Sequence, residues 1–127
     1  MAEAILRNFD ADLEIYSAGI DPASHISPIA IEVLKEIGID IQPLVPRRFD
    51  AIGVRKVDFL ITVGDNTSSD FKVPEIEYLR KLHLKIRNPY KNSKSQDEIR
   101  EKCRKVRNEL MNELEYFYFK IIKKSIR

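Results

Sequence analysis

The sequence contains one cysteine, no tryptophan, four glycines and six prolines among its 127 residues. A single cysteine excludes an internal disulfide, and the N-terminus lacks a basic stretch followed by the apolar core of a signal peptide. No apolar run approaches the roughly 20 residues that cross a bilayer, so we expect no membrane span and a cytoplasmic location. The low glycine and proline content argues against linkers, and the length fits a single domain over residues 1–127.

An excess of charge of one sign is also lacking. The 22 lysines and arginines against 20 aspartates and glutamates leave a net charge of +2, which gives no electrostatic case for a nucleic-acid binder. His25 and His83 lack carboxylate or thiol neighbours at ligand spacing, so we predict no metal site and no cofactor. Cys103 falls on the apolar stripe of a predicted helix, which favours a buried structural thiol over a reactive one.

Helical and strand-like apolar patterns alternate along the chain. At the best-marked helix, Ser27 is a cap, Pro28 occupies the first helical position and Gly38 follows the end. The run at 57–63 is almost continuously apolar, which is typical of a strand covered on both faces. The predicted elements are helices at 1–9, 28–37 and within 47–54, strands at 13–16, 57–63 and 82–86, and a long helix from the capping box at 95–98 to residue 121.

This alternation predicts an α/β domain with right-handed crossovers and a small parallel sheet flanked by helices. Ligands of such sheets bind at the carboxyl ends of the strands. The loops at those ends are 17–19, 64–69 and 87–90, so we expect any site to lie where they meet. The candidate site residues on these loops are Ser17, Gly19, Gly64, Asp65, Asn88 and Tyr90.

Five stretches carry a resemblance: 1–4 (MAEA), 16–19 (YSAG), 26–30 (ISPIA), 34–40 (LKEIGID) and 58–62 (DFLIT). In this order they resemble low-molecular-weight protein tyrosine phosphatases, and still more their thioredoxin-coupled arsenate reductase relatives. The similarity extends over nearly the whole chain. It implies the family's Rossmann-like, three-layer fold.

In that family, the resemblance implies, a first strand leads into an anion-binding loop of the form C-x-x-N-x-x-R-S-Q, directly before M-A-E-A. This sequence starts at M-A-E-A, so we expect the first strand, the nucleophilic cysteine and the anion-clamping arginine to be missing. Arg7, Arg47, Arg48 and Arg87 do not replace that arginine, since it acts from the loop itself. Without a thiolate no covalent intermediate forms, and oxyanion binding is not expected.

Two further departures concern the loops after the strands. The family's Asp-Pro turn, whose aspartate is the general acid, falls on Asn88 and Pro89, and an amide cannot donate a proton in that role. Asn88 is read equally well as a turn residue before proline. The reductases also carry a cysteine pair in the loop that matches 64–74, where this sequence has none.

The leading functional hypothesis is a catalytically incomplete relative of these enzymes, either a binding or interaction module or a gene remnant. The alternative is an active cysteine-dependent phosphatase or arsenate reductase in which Met1 is an internal methionine of a longer reading frame. For the incomplete sheet, we expect either that 13–16 pairs directly with 57–63, or that a homodimer or another protein supplies a strand. The dense aromatic residues at 116–119 are a candidate contact surface.

Overall fold

The computed structural model describes residues 1–18, 27–41, 53–65 and 75–125. The candidate Gly19 lies outside these residues, as does most of the helix predicted within 47–54. The elements in chain order are α1 (Ala2–Phe9), α2 (Pro28–Lys35), β1 (Lys56–Gly64), β2 (Glu77–Lys85), α3 (Gln96–Phe117), a π-helical turn (Tyr118–Ile122) and the short α4 (Lys123–Ser125). In the described parts of the chain, no helix is long and apolar enough to span a bilayer.

The described sheet consists of β1 and β2, which pair in parallel. Lys56 lies beside Glu77 and Gly64 beside Lys85. The Ile86 N–H donates to the Gly64 carbonyl at 2.8 Å, which carries the pairing past the end of β2. The predicted α/β fold with a parallel sheet is therefore confirmed. β2 begins five residues before the predicted strand at 82–86 because its first half is exposed and charged, which hides the apolar alternation.

The strand predicted at 13–16 is wrong as an element of the sheet. Residues 14–18 have no strand pairing, so the expected direct pairing with 57–63 is wrong as well. The apolar alternation has a different cause, since Leu13 and Ile15 pack against the core. The Ile15 carbonyl accepts a hydrogen bond of 3.0 Å from the Arg7 guanidinium. The partner of this carbonyl is thus a side chain of α1 and not the backbone of a neighbouring strand.

Helices α1 and α2 follow the sequence prediction closely. α1 buries Ile5 and Leu6 and has no side-chain cap. α2 ends at Lys35 rather than at residue 37, and a Schellman motif follows it: the Ile39 N–H donates to the Leu34 carbonyl and the Gly38 N–H to the Lys35 carbonyl, each at 3.0 Å. Gly38 has a φ of 82°, the left-handed conformation that glycine adopts without a steric penalty.

Helix α3 is the long C-terminal helix that the sequence predicts, with 22 residues. The Ser95 hydroxyl accepts the Glu98 N–H at 3.1 Å, and the Glu98 carboxylate accepts the Lys94 N–H at 2.9 Å. The first bond is the one that the predicted capping box requires, whereas the Glu98 carboxylate accepts from the residue before the cap instead of from Ser95 itself. The regular helix gives way at Tyr118 to the π-helical turn, which buries both Tyr118 and Ile122.

One hydrophobic core joins the sheet to the helices. Ile5 of α1, Leu34 of α2 and Leu114 of α3 are fully buried within it. Phe59 of β1 meets Phe117 of α3 edge to face, with ring centroids 5.7 Å apart. Coverage of β1 is less complete than its apolar sequence predicts, because Phe59 is only half-buried and Val63 is 39% exposed.

Candidate functional site

An open cleft of about 520 Å³ lies at the carboxyl ends of β1 and β2. Its lining residues are Asp65, Lys85, Arg87 and Glu109. Asp65 was predicted as a site residue, and Arg87 lies in a loop predicted to face the site. The sequence predicts Lys85 only as a strand residue. Glu109 lies in the middle of α3, and no local pattern in the sequence indicates that this residue approaches the end of a strand.

The cleft balances its charges. Lys85 and Arg87 bring two cations, and Asp65 and Glu109 bring two carboxylates. All four side chains are exposed. An oxyanion pocket needs a clear excess of positive potential and buried donors, and the four lining residues in the described part of the chain provide neither.

Asn88 lies in the turn that follows β2. Its side-chain Oδ1 accepts the Tyr90 N–H at 2.9 Å, and its carbonyl accepts the Lys91 N–H at 3.3 Å. Such bonding to the backbone two residues ahead is typical of asparagine in turns, with Pro89 fixing the next φ angle. The contacts favour the reading of Asn88 as a turn residue. The position that the resemblance assigns to a general acid thus holds a neutral amide whose oxygen bonds to the backbone.

Tyr90 reaches from this turn towards α3. Its hydroxyl lies 3.9 Å from the Cys103 Sγ, and burial raises the pKa of both groups. Cys103 itself is fully buried, as its place on the apolar stripe predicts. A buried thiol with a raised pKa stays protonated at neutral pH and is a poor nucleophile. The surroundings of Cys103 are therefore those of a buried structural residue and not of a nucleophile.

Ser17 is held by α1. Its hydroxyl donates to the Glu3 carboxylate, which also accepts a hydrogen bond of 3.0 Å from the Arg7 Nε. Burial acts to raise the pKa of Glu3, but the hydrogen bonds from Ser17 and Arg7 outweigh it and the pKa is lowered. Of the predicted site residues, Asp65 lines the cleft, and Gly64 is the last residue of β1. Asn88 and Tyr90 lie in the turn after β2. The Ser17 side chain bonds to α1.

A cluster of ion pairs lies elsewhere, between α2 and α3. Glu36 accepts hydrogen bonds from Arg104 at 2.8 Å and from Arg107 at 2.7 Å, and these bonds lower its pKa to about 2. Arg107 also donates to the Val33 carbonyl at 2.8 Å. These arginines bridge two helices, so their role is structural.

No group of three or more metal-ligating side chains occurs among the residues that the structure describes. His83 lies on β2 with its Nδ1 2.6 Å from the Thr62 hydroxyl on β1. This contact ties the two strands together on the face where Thr62 is buried.

A comparison with protein families adds independent information. The family model described as low molecular weight phosphotyrosine protein phosphatase matches residues 1–126. The match spans all the described elements and agrees with the resemblance carried by the sequence motifs.

Proposed function

The chain belongs to the low molecular weight phosphotyrosine protein phosphatase family, and we propose that it is a catalytically incomplete member that acts as a binding or interaction module. The observation that carries this proposal is the position of Cys103. The only cysteine of the sequence lies buried on α3 and not at the carboxyl end of a strand.

Each chemical step of a cysteine-dependent phosphatase lacks a group in this sequence. Nucleophilic attack needs an accessible thiolate, and Cys103 is buried with a raised pKa. Protonation of the leaving group needs an acid, and Asn88 stands where the resemblance places it. Arsenate reduction by thiol exchange needs further cysteines, and the sequence has one.

The test is the hydrolysis of an aryl phosphate by the chain as it stands, alongside a Cys103→Ser variant. We expect both proteins to match the rate in buffer, because neither has a reactive thiolate. Phosphate release by the parent chain that disappears in Cys103→Ser would overturn the proposal, provided that circular dichroism shows the variant to be folded.

A second candidate is an active phosphatase or arsenate reductase in which a segment before Met1 supplies the anion loop. One observation favours it: the edge of β1 away from β2 is unpaired in the described sheet. The intact mass of the protein from its own cells, compared with 14.8 kDa, separates the candidates. In a longer form, Asn88→Asp should raise activity on an aryl phosphate if the position serves catalysis, and Asn92→Asp in the same turn is the matched control.

The aromatic residues at the end of α3 and in the π-helical turn support a role in binding. Tyr116 is 65% exposed and Phe119 43% exposed, and the two lie three residues apart, so they form a patch and not a single exposed ring. Phe119 lies edge-on to Phe9 with centroids 6.0 Å apart, and the Lys123 ammonium lies 5.3 Å from its ring centroid. We propose this surface as a contact site, as the sequence predicts.

A further inference from the structure

The edge of β1 away from β2 has unusual properties for an open edge. The strand is nine residues long, and within the described sheet it pairs with β2 alone. Residues 59–63 contain no charge and no proline. Natural proteins protect open edges with charges, prolines, bulges or short strands, because an unprotected edge pairs with other chains.

The burial of β1 side chains points to the same edge. Phe59 and Ile61 pack against the core but are only half-buried, and Val63 is 39% exposed. A strand next to β1 would place its own side chains beside these three and reduce their exposure. β2 is different, since five of its nine residues are charged or histidine and protect its outer edge; they are Glu77, Arg80, Lys81, His83 and Lys85.

The sequence of β1 is complementary to itself in the antiparallel direction. With a two-fold axis at Leu60, Phe59 lies opposite Ile61 of a second copy and Val57 lies opposite Val63. The charged residues avoid each other, because Lys56 then faces Gly64 and Asp58 faces Thr62. Directly opposed apolar pairs stabilise antiparallel strands, whereas opposed like charges destabilise them.

We infer that β1 pairs antiparallel with β1 of a second copy, which gives a continuous sheet in the order β2-β1-β1-β2. A two-fold dimer of this kind is closed, since each copy uses the same surface and no open β1 edge remains. The inference rests on the proposed function as an interaction module, because an upstream strand in a longer enzyme would compete for the same edge.

The test is the molar mass in solution from light scattering over a dilution series, for the full chain and two variants. Val63→Lys introduces a charge diagonal to Arg55 of the second copy, which should weaken the dimer at least tenfold. Leu79→Lys is the matched control, since Leu79 is 74% exposed on β2 and the substitution is of the same kind. We expect a mass of about twice 14.8 kDa for the parent and for Leu79→Lys, and a shift towards monomer for Val63→Lys.

A monomeric parent at every concentration would overturn the inference, and so would a dimer that both variants weaken equally. If Val63→Lys fails to fold, a nitroxide on Val63→Cys in a Cys103→Ser background tests the register instead. The two labelled backbones should lie about 20 Å apart, because six residues separate position 63 from its opposite position. The aryl phosphate assay on the same parent sample distinguishes the failures: activity refutes the proposed function, whereas an inactive monomer refutes only the dimer.

Discussion

Arg107 and Glu36 form an ion pair of 2.7 Å that joins α3 to the turn after α2. The same guanidinium nitrogen donates to the Val33 carbonyl, one of the last carbonyls of α2. Arg107 is nearly buried, and Arg104 approaches the same carboxylate from a more exposed position. This relationship ties α3 to the C-terminal end of α2 through charged hydrogen bonds.

Arg107→Met should therefore destabilise the domain. The variant keeps much of the side-chain volume but removes a charged hydrogen bond to a buried carbonyl, a loss of about 2 kcal/mol. Arg100→Met is the control, because its pairs with Glu32 and Asp97 are exposed and such pairs contribute about 0–1 kcal/mol. Urea denaturation measures both, and equal losses in the two variants would contradict the structural role of Arg107.

The pH dependence of stability should include a contribution from Glu36. The hydrogen bonds from Arg104 and Arg107 lower its pKa to about 2 from the ordinary 4.5, so this stabilisation is complete above pH 4.5 and disappears as the pH falls towards 2. Denaturation of the parent and Glu36→Gln across this range should show the parent's advantage shrinking as the medium becomes acidic. An advantage that stays constant down to pH 2 would refute the assignment.

Gly38→Ala should cost about 1 kcal/mol, because alanine pays a steric penalty at a positive φ. An added Cβ meets no atom within 4 Å, so the loss comes from the backbone conformation and not from a clash. Gly38→Asn should lose less, since asparagine tolerates the left-handed region better. Thermal unfolding of the three proteins gives the order, and an alanine variant as stable as the parent would contradict the φ of 82°.

The Cys103 thiol should be unreactive in the folded protein. Its side chain is fully buried and burial raises its pKa, so both access and thiolate formation are disfavoured. An aromatic disulfide reagent should label it only after denaturation. Leu79→Cys provides an exposed thiol in the same chain as the positive control, and rapid labelling of the parent would show that Cys103 opens to solvent.

Local signals predicted the helices well because their causes lie within a few residues. The Ser95 hydroxyl caps α3 three residues ahead, the proline at the start of α2 supplies a φ angle suited to the first helical position, and the glycine after α2 closes it through a backbone bond. The prediction of a strand at 13–16 is wrong for a related reason. The alternation of apolar residues at 13–16 indicates which side chains face the core. A strand also needs a neighbouring strand to pair with, and no local sequence pattern shows whether one is present.

At the candidate site, the sequence predicts that three loops meet, and of these the described cleft includes Asp65 and Arg87 but no residue of 17–18. Asp65 was found because it follows a strand directly. Glu109 was not, because it reaches the cleft only through the packing of α3 against the core. The sequence allows Asn88 to be either a turn residue or a relic of an acid, and the hydrogen bond that its side chain accepts from the Tyr90 N–H favours the turn residue.

The sequence by itself determined the family, the parallel α/β class and the presence of one cysteine, since motifs and periodicity are properties of the chain. Only the tertiary structure decided that Tyr90 lies beside Cys103, that Arg107 joins two helices and that, among the described residues, one edge of β1 is unpaired. The physical reason is distance along the chain: burial, ion pairing and strand pairing depend on residues far apart in sequence, which meet only when the core forms.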